Sequence, residues 1–156
     1  MLVLWPWTLL AVIVPMFGGS VLACGPVRPD IPLAFVSVAA QRRFGLAALA
    51  PPCIVLCAAR YVFAPPDAGA EAVVFAGTAC ALIVLHRLAL LDSIVELLAT
   101  TAAGFAAVVL GTALLQRGTG DAVTLPSLLV LAGTLVYTLA IAVAFALLLP
   151  ERRGRS

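Results

Sequence analysis

The sequence predicts an all-α membrane protein, a polytopic bundle of five or six transmembrane helices forming one domain over residues 1–156. Three observations predict it. Hydrophobic residues make up 64% of the chain and charged residues only 10%, whereas about 25% charge keeps a soluble domain's surface wet. The mean hydropathy is +1.21. The apolar residues fall in long runs without the alternation of barrel strands, and an open strand in lipid would leave backbone groups unpaired.

A helix crosses the hydrocarbon of a bilayer with roughly 20 apolar residues. Five runs meet that need in order: Leu2 to Ala23; Phe44 to Phe63; Ala72 to Leu85, reaching Leu91 at the furthest; Ile94 to Leu115; and Val123 to Leu149, closed by Pro150. Residues 64–71 carry Pro65, Pro66 and Gly69, and residues 116–122 carry Gly118 and Gly120, both turn compositions. The longer connection, residues 24–43, holds a short apolar helix over Ile31–Gln41, with Asp30 as its N-cap and Pro32 tolerated in its first turn. It is too short for an ordinary span. It either lies in the interface or dips through a thinned bilayer.

Orientation follows from the arginines, because cytoplasmic loops collect positive charge. With five spans and the N-terminus outside, Arg28, Arg42, Arg43, Arg87, Arg152, Arg153 and Arg155 are cytoplasmic, and only Arg60 and Arg117 are outside. If residues 31–41 cross as a sixth span, the N-terminus moves inside and only Arg28 changes side. Both arrangements place the C-terminus in the cytoplasm and set Trp5 and Trp7 at an interface, where amphipathic rings are favoured. A cleaved leader is the competing reading of the first run, with Val21-Leu22-Ala23-Cys24 as a lipoprotein-like box. It lacks a basic n-region and would put Arg42, Arg43 and the basic tail outside, so an uncleaved span is expected.

All nine basic residues are arginine, which with the many alanines reads as the mark of a GC-rich genome. A net charge of +2, scattered along the chain, gives no nucleic-acid footprint. The partners expected are the lipid bilayer and other membrane subunits. No cofactor and no metal are expected: Cys53 and Cys57 stand four apart, but without further ligands they read as core packing. No Gly-rich phosphate loop, Ser-His-Asp set or histidine pair is present, which makes an enzyme the least favoured class.

Two constellations stand out. His86, Arg87, Asp92 and Glu96 lie between the third and fourth runs, with Asp92 and Glu96 at the four-residue spacing of one helix face. They are ion-pathway candidates, a relay at a cytoplasmic mouth. The plainer alternative is a solvated loop at headgroup level. The second is Ala99, Ala103, Ala107 and Gly111, small residues every fourth position that let two helix backbones approach closely. Bulk at Ala103 or Ala107 is expected to disturb assembly more than bulk at Val108. Thr134, Tyr137 and Thr138 share a side of the last run, where hydroxyls bond across helices or to an i−4 carbonyl. Pro51-Pro52 is expected to kink the second run.

The order of Arg28-Pro29-Asp30, the apolar stretch Ile31–Ala40, Gln41-Arg42-Arg43 and the run Phe44–Phe63, then Gly69 and Ala72–Leu85, resembles the rod shape-determining membrane protein MreD family over roughly residues 28–91. Where that family carries an aspartate before the turn, this chain has Arg60-Tyr61. The resemblance implies six spans, a cytoplasmic N-terminus and a scaffold role in the cell-wall elongation machinery. Arg60-Tyr61-Val62-Phe63, the following prolines and Glu71 are similar to the small membrane subunit of tripartite ATP-independent periplasmic transporters. Arg87, Asp92 and Glu96 resemble small subunits of multisubunit sodium/proton antiporters. The expected function is therefore a non-catalytic scaffold subunit of the cell-shape complex in a bacterial cytoplasmic membrane. The alternatives are a transport subunit or small oligomeric carrier using Glu96 and Asp92, and a membrane enzyme or cofactor binder.

Overall fold

The computed structural model describes residues 4–17, 26–42, 44, 46–63, 68–88, 93–115 and 125–149. These residues fold into six α-helices: α1 (Leu4–Phe17), α2 (Ile31–Gln41), α3 (Leu46–Phe63), α4 (Ala68–Leu88), α5 (Ile94–Leu115) and α6 (Leu125–Leu148). Three helical stretches, Gly69–Leu88, Ile94–Leu115 and Leu128–Leu148, are long and apolar enough to cross a membrane. The helix over Ile94–Leu115 has the bounds expected of it, whereas α4 begins at Ala68 and so takes in Glu71, which the sequence placed in a turn. An acidic side chain in a first turn lies at the positive end of the helix dipole, and Glu71 is suited to that place. Pro51 and Pro52 both lie inside α3.

The short helix is the centre of the bundle. Nine of the eleven residues of α2 are buried, and α2 packs against each of the other five helices. Its length alone does not predict this enclosure. Its side chains account for it: Ala34, Ser37, Ala39 and Ala40 keep it slim, so neighbouring backbones come close. Leu33, Phe35, Val36 and Val38 fill the spaces between, all at most 1% exposed. Around it run α1, α3, α4, α5 and α6, each packed against the next. The arc is closed by Trp7 of α1, edge-on to Phe145 of α6 at 6.0 Å, with Phe35 of α2 edge-on to the same ring at 5.9 Å.

These contacts set the direction of each element. Trp7 lies near the start of α1 and Phe145 near the end of α6, so those two ends meet. Gly111, late in α5, faces Val74, early in α4, so this pair is antiparallel. Val27 packs on Gly133, the Asp30 N–H donates to Thr138 Oγ1 at 2.9 Å, and Arg42 donates to the Ala146 carbonyl. The segment 27–42 therefore runs parallel to α6, along about 20 Å of its length. Its first part is not helical: Arg28 precedes a proline, which biases it to extended backbone, and Pro29 has no N–H to donate. A Cβ at Gly133 would come within 3.0 Å of Val27, so glycine there lets the extended strand lie on the helix.

Candidate functional site

The charges inside the bundle gather where three helix ends meet. Asp30 caps α2: its Oδ1 accepts from the Leu33 N–H at 3.0 Å. Its Oδ2 pairs with Arg60, in the last turn of α3. The same guanidinium donates from Nη1 to Glu71 Oε1 at 2.8 Å, in the first turn of α4, and lies 4.4 Å over the Phe75 ring. The side chains of Asp30 and Arg60 are only 10% and 13% exposed, while that of Glu71 is 37% exposed. Each charge sits on the favourable end of its helix, carboxylates at N-termini and guanidinium at a C-terminus. The backbone N–H of Asp30 goes to Thr138 Oγ1, whose own proton goes to the Thr134 carbonyl at 2.8 Å. Thr138 thus bonds both across helices and back along its own, as its position on the last run implied.

Of the expected ion-pathway residues, His86, Arg87 and Glu96 lie at the other end of the bundle. Ser93 and Glu96 make a reciprocal capping box on α5: Glu96 Oε2 accepts the Ser93 N–H at 2.8 Å, and Ser93 Oγ accepts the Glu96 N–H at 3.1 Å. The Gln41 amide donates to the Ser93 carbonyl at 2.9 Å, tying the end of α2 to the start of α5. His86 is fully buried, its Nε2 3.2 Å from Thr100 Oγ1. Thr100 Oγ1 also lies 2.8 and 3.1 Å from the Glu96 and Leu97 carbonyls, and which atom donates between it and His86 Nε2 is set by the imidazole tautomer. Arg87 is exposed, and Asp92 lies outside the described residues, as do Cys24, Arg43, Arg117 and the C-terminal arginines.

The small-residue stripe on α5 divides. Ala99, Ala103 and Ala107 are exposed, and the inward face is Leu97, Thr100, Thr101, Gly104, Phe105 and Val108. Gly111 alone of the four approaches a neighbour closely, since a Cβ there would lie 2.6 Å from Val74 Cγ1. Val108, expected to be the indifferent position, is 6% exposed and belongs to the core. The stripe remains available to a partner but is not the contact that builds this bundle. Cys53, Cys57 and Cys80 are free thiols, and no three His, Cys, Asp or Glu side chains among the described residues come together as a metal site.

The sequence presents Asp30, Arg60 and Glu71 separately and does not show that they form one cluster. The signal available in the sequence is one basic residue at the end of an apolar run, which calls for a carboxylate elsewhere at the same depth. Chemically the arrangement pairs one guanidinium with two carboxylates and ties the ends of three helices together. No protein-family model, no curated protein and no solved structure matches the chain.

Proposed function

We propose that the chain is a multi-pass protein of the bacterial cytoplasmic membrane, crossing six times with both termini inside, and that it is a non-catalytic scaffold subunit of the cell-wall elongation complex. The observation that carries the scaffold role is where the polar groups go. Asp30, Arg60 and Glu71 bind one another, Glu96 and Ser93 cap α5, and Thr138 and Gln41 tie α2 to its neighbours. The interior chemistry holds helices together, while the outside presents large apolar side chains such as Leu129, Val136 and Leu147 to lipid or to partner helices. Six crossings are supported by the meeting of the α1 start with the α6 end, since an even number returns the chain to its starting side.

The test is co-isolation and phenotype. Depleting the protein from a rod-shaped host is expected to round the cells. Crosslinking in native membranes is expected to recover a cytoskeletal actin homologue and a cell-wall transpeptidase with it. Unchanged shape, with large transporter subunits recovered instead, overturns the reading in favour of an accessory subunit of a transport complex. That second reading has one observation of its own, an ion cluster inside the bundle, because ionisable groups at such depth often mark ion paths.

A further inference from the structure

We infer that Arg60 is a topological latch: by holding Asp30 against Glu71 it makes residues 26–41 a composite crossing and so decides between six spans and five. The inference rests on the multi-pass reading above. Three observations carry it. First, α2 is about 16 Å long, roughly half the hydrocarbon thickness, and is preceded by extended backbone, so it cannot insert as an ordinary span. Second, its leading residue is a carboxylate level with Thr138, near mid-length of α6, where an unpaired charge is costly. Third, the arginine count does not ask for this crossing. Taking Arg28 outside leaves Arg42, Arg43, Arg87, Arg152, Arg153 and Arg155 inside against Arg28, Arg60 and Arg117 outside, a weaker bias than the five-span arrangement gives. Something other than loop charge must draw this segment in. Arg60 pairs with Asp30, is braced by Glu71 on α4 and lies over Phe75, so its anchors are the helices that follow α2 in the chain.

The latch also fixes a sequence of events. The segment 26–41 is held only once α3 and α4 are in place to present Arg60 and Glu71. Until then the chain has the five-span arrangement open to it, with α1 reversed and everything after Arg42 unchanged.

The test uses the full chain with its native cysteines replaced by alanine and one reporter cysteine, at the exposed Pro26 or at Thr119, labelled from outside intact cells by a membrane-impermeant maleimide. With Arg60 present, the Pro26 reporter is expected to label as fully as the Thr119 reporter. In Arg60→Met, Pro26 labelling is expected to fall on the order of tenfold or more while Thr119 labelling holds, because removing one partner strands the other charge. Arg60→Lys keeps a cation and is expected to retain labelling. The double variant Asp30→Asn, Arg60→Met removes both charges and keeps a good N-cap, so labelling is expected to return. A protected Pro26 in the otherwise native chain would sink the six-span reading itself. Full labelling of Pro26 in Arg60→Met, or no recovery in the double variant, would leave six spans standing and overturn the latch. Loss of Thr119 labelling in Arg60→Met would also overturn it, because the effect would then be general misfolding.

Discussion

Replacing Glu96 separates a structural from an ion-conducting role for the acidic end of α5. The Glu96 carboxylate accepts the Ser93 N–H at 2.8 Å, and the Glu96 backbone N–H donates to Ser93 Oγ at 3.1 Å. Glutamine keeps an acceptor oxygen on the same stem and serves in capping boxes as glutamate does. Glu96→Gln therefore keeps the capping box and gives up the charge at the positive end of the helix, a contribution of about 0.3–1 kcal/mol. The lower figure applies here, since these bonds are exposed. Glu96→Ala removes the hydrogen bond as well, and Ser93→Ala removes the cap, at about 1 kcal/mol.

The expected order of thermal stability in detergent is thus native, Glu96→Gln, then Glu96→Ala and Ser93→Ala together. Cells carrying Glu96→Gln are expected to keep normal shape and growth. A carboxylate used in translocation must change charge or shed water, so its identity would matter even with the fold intact. Ion flux in proteoliposomes measures this directly. If the native protein carries ions and Glu96→Gln does not, with melting and assembly unchanged, the scaffold reading falls and Glu96 joins a conduction site.

Two further outcomes follow from packing. Gly111→Ala puts a methyl 2.6 Å from Val74 Cγ1 and is expected to cost about 1–3 kcal/mol, whereas Gly77→Ala meets nothing within 4 Å and is expected to be neutral or stabilising; equal melting temperatures for the two variants would refute the α4–α5 contact. Ala103→Leu and Ala107→Leu are expected to leave the isolated protein's melting unchanged and reduce partner recovery in a detergent pull-down, while Val108→Leu lowers the melting of the protein itself; unaltered recovery in both alanine variants would mean that the stripe faces lipid.

Much of the helix placement is legible in the sequence, because the length of an apolar run and its punctuation are local properties. Ile94–Leu115 reads correctly from the charges before it and the glycines after it. The cap of α2 reads correctly because Asp30 followed by Pro32 is a local signature as well. The pairing of Arg60 with Asp30 is not local: thirty positions separate them, and only the packing of α2 against α3 and α4 brings them together. The face of α5 that turns inward was missed for a related reason. In lipid both faces of a helix are apolar, so hydropathy does not mark the inside. Small size was the available signal, and in an alanine-rich chain it marks several faces at once. Thr100, Thr101 and Gly104 were the better guide, since hydroxyls in a helix facing hydrocarbon have little to gain from lipid.

The enclosed place of α2 has a basis in its sequence. A short helix lying in the interface should be amphipathic, with a polar face toward water. Ile-Pro-Leu-Ala-Phe-Val-Ser-Val-Ala-Ala-Gln has no such face: its one interior hydroxyl, Ser37, stands among apolar residues on every side. A helix that is apolar all round is surrounded by protein or by lipid. One of about 16 Å is too short to be held by lipid alone. The remaining possibility is a helix enclosed by other helices, and an enclosed helix whose first residue is an aspartate requires a cation nearby at the same depth. Of the two arginines expected on the side opposite the basic loops, Arg60 lies within an apolar run, whereas Arg117 falls beyond one in a glycine-containing turn. The hub and its ion pair are therefore consequences of length, all-round hydrophobicity and one charge within an apolar run taken together, where each taken singly points only to a membrane.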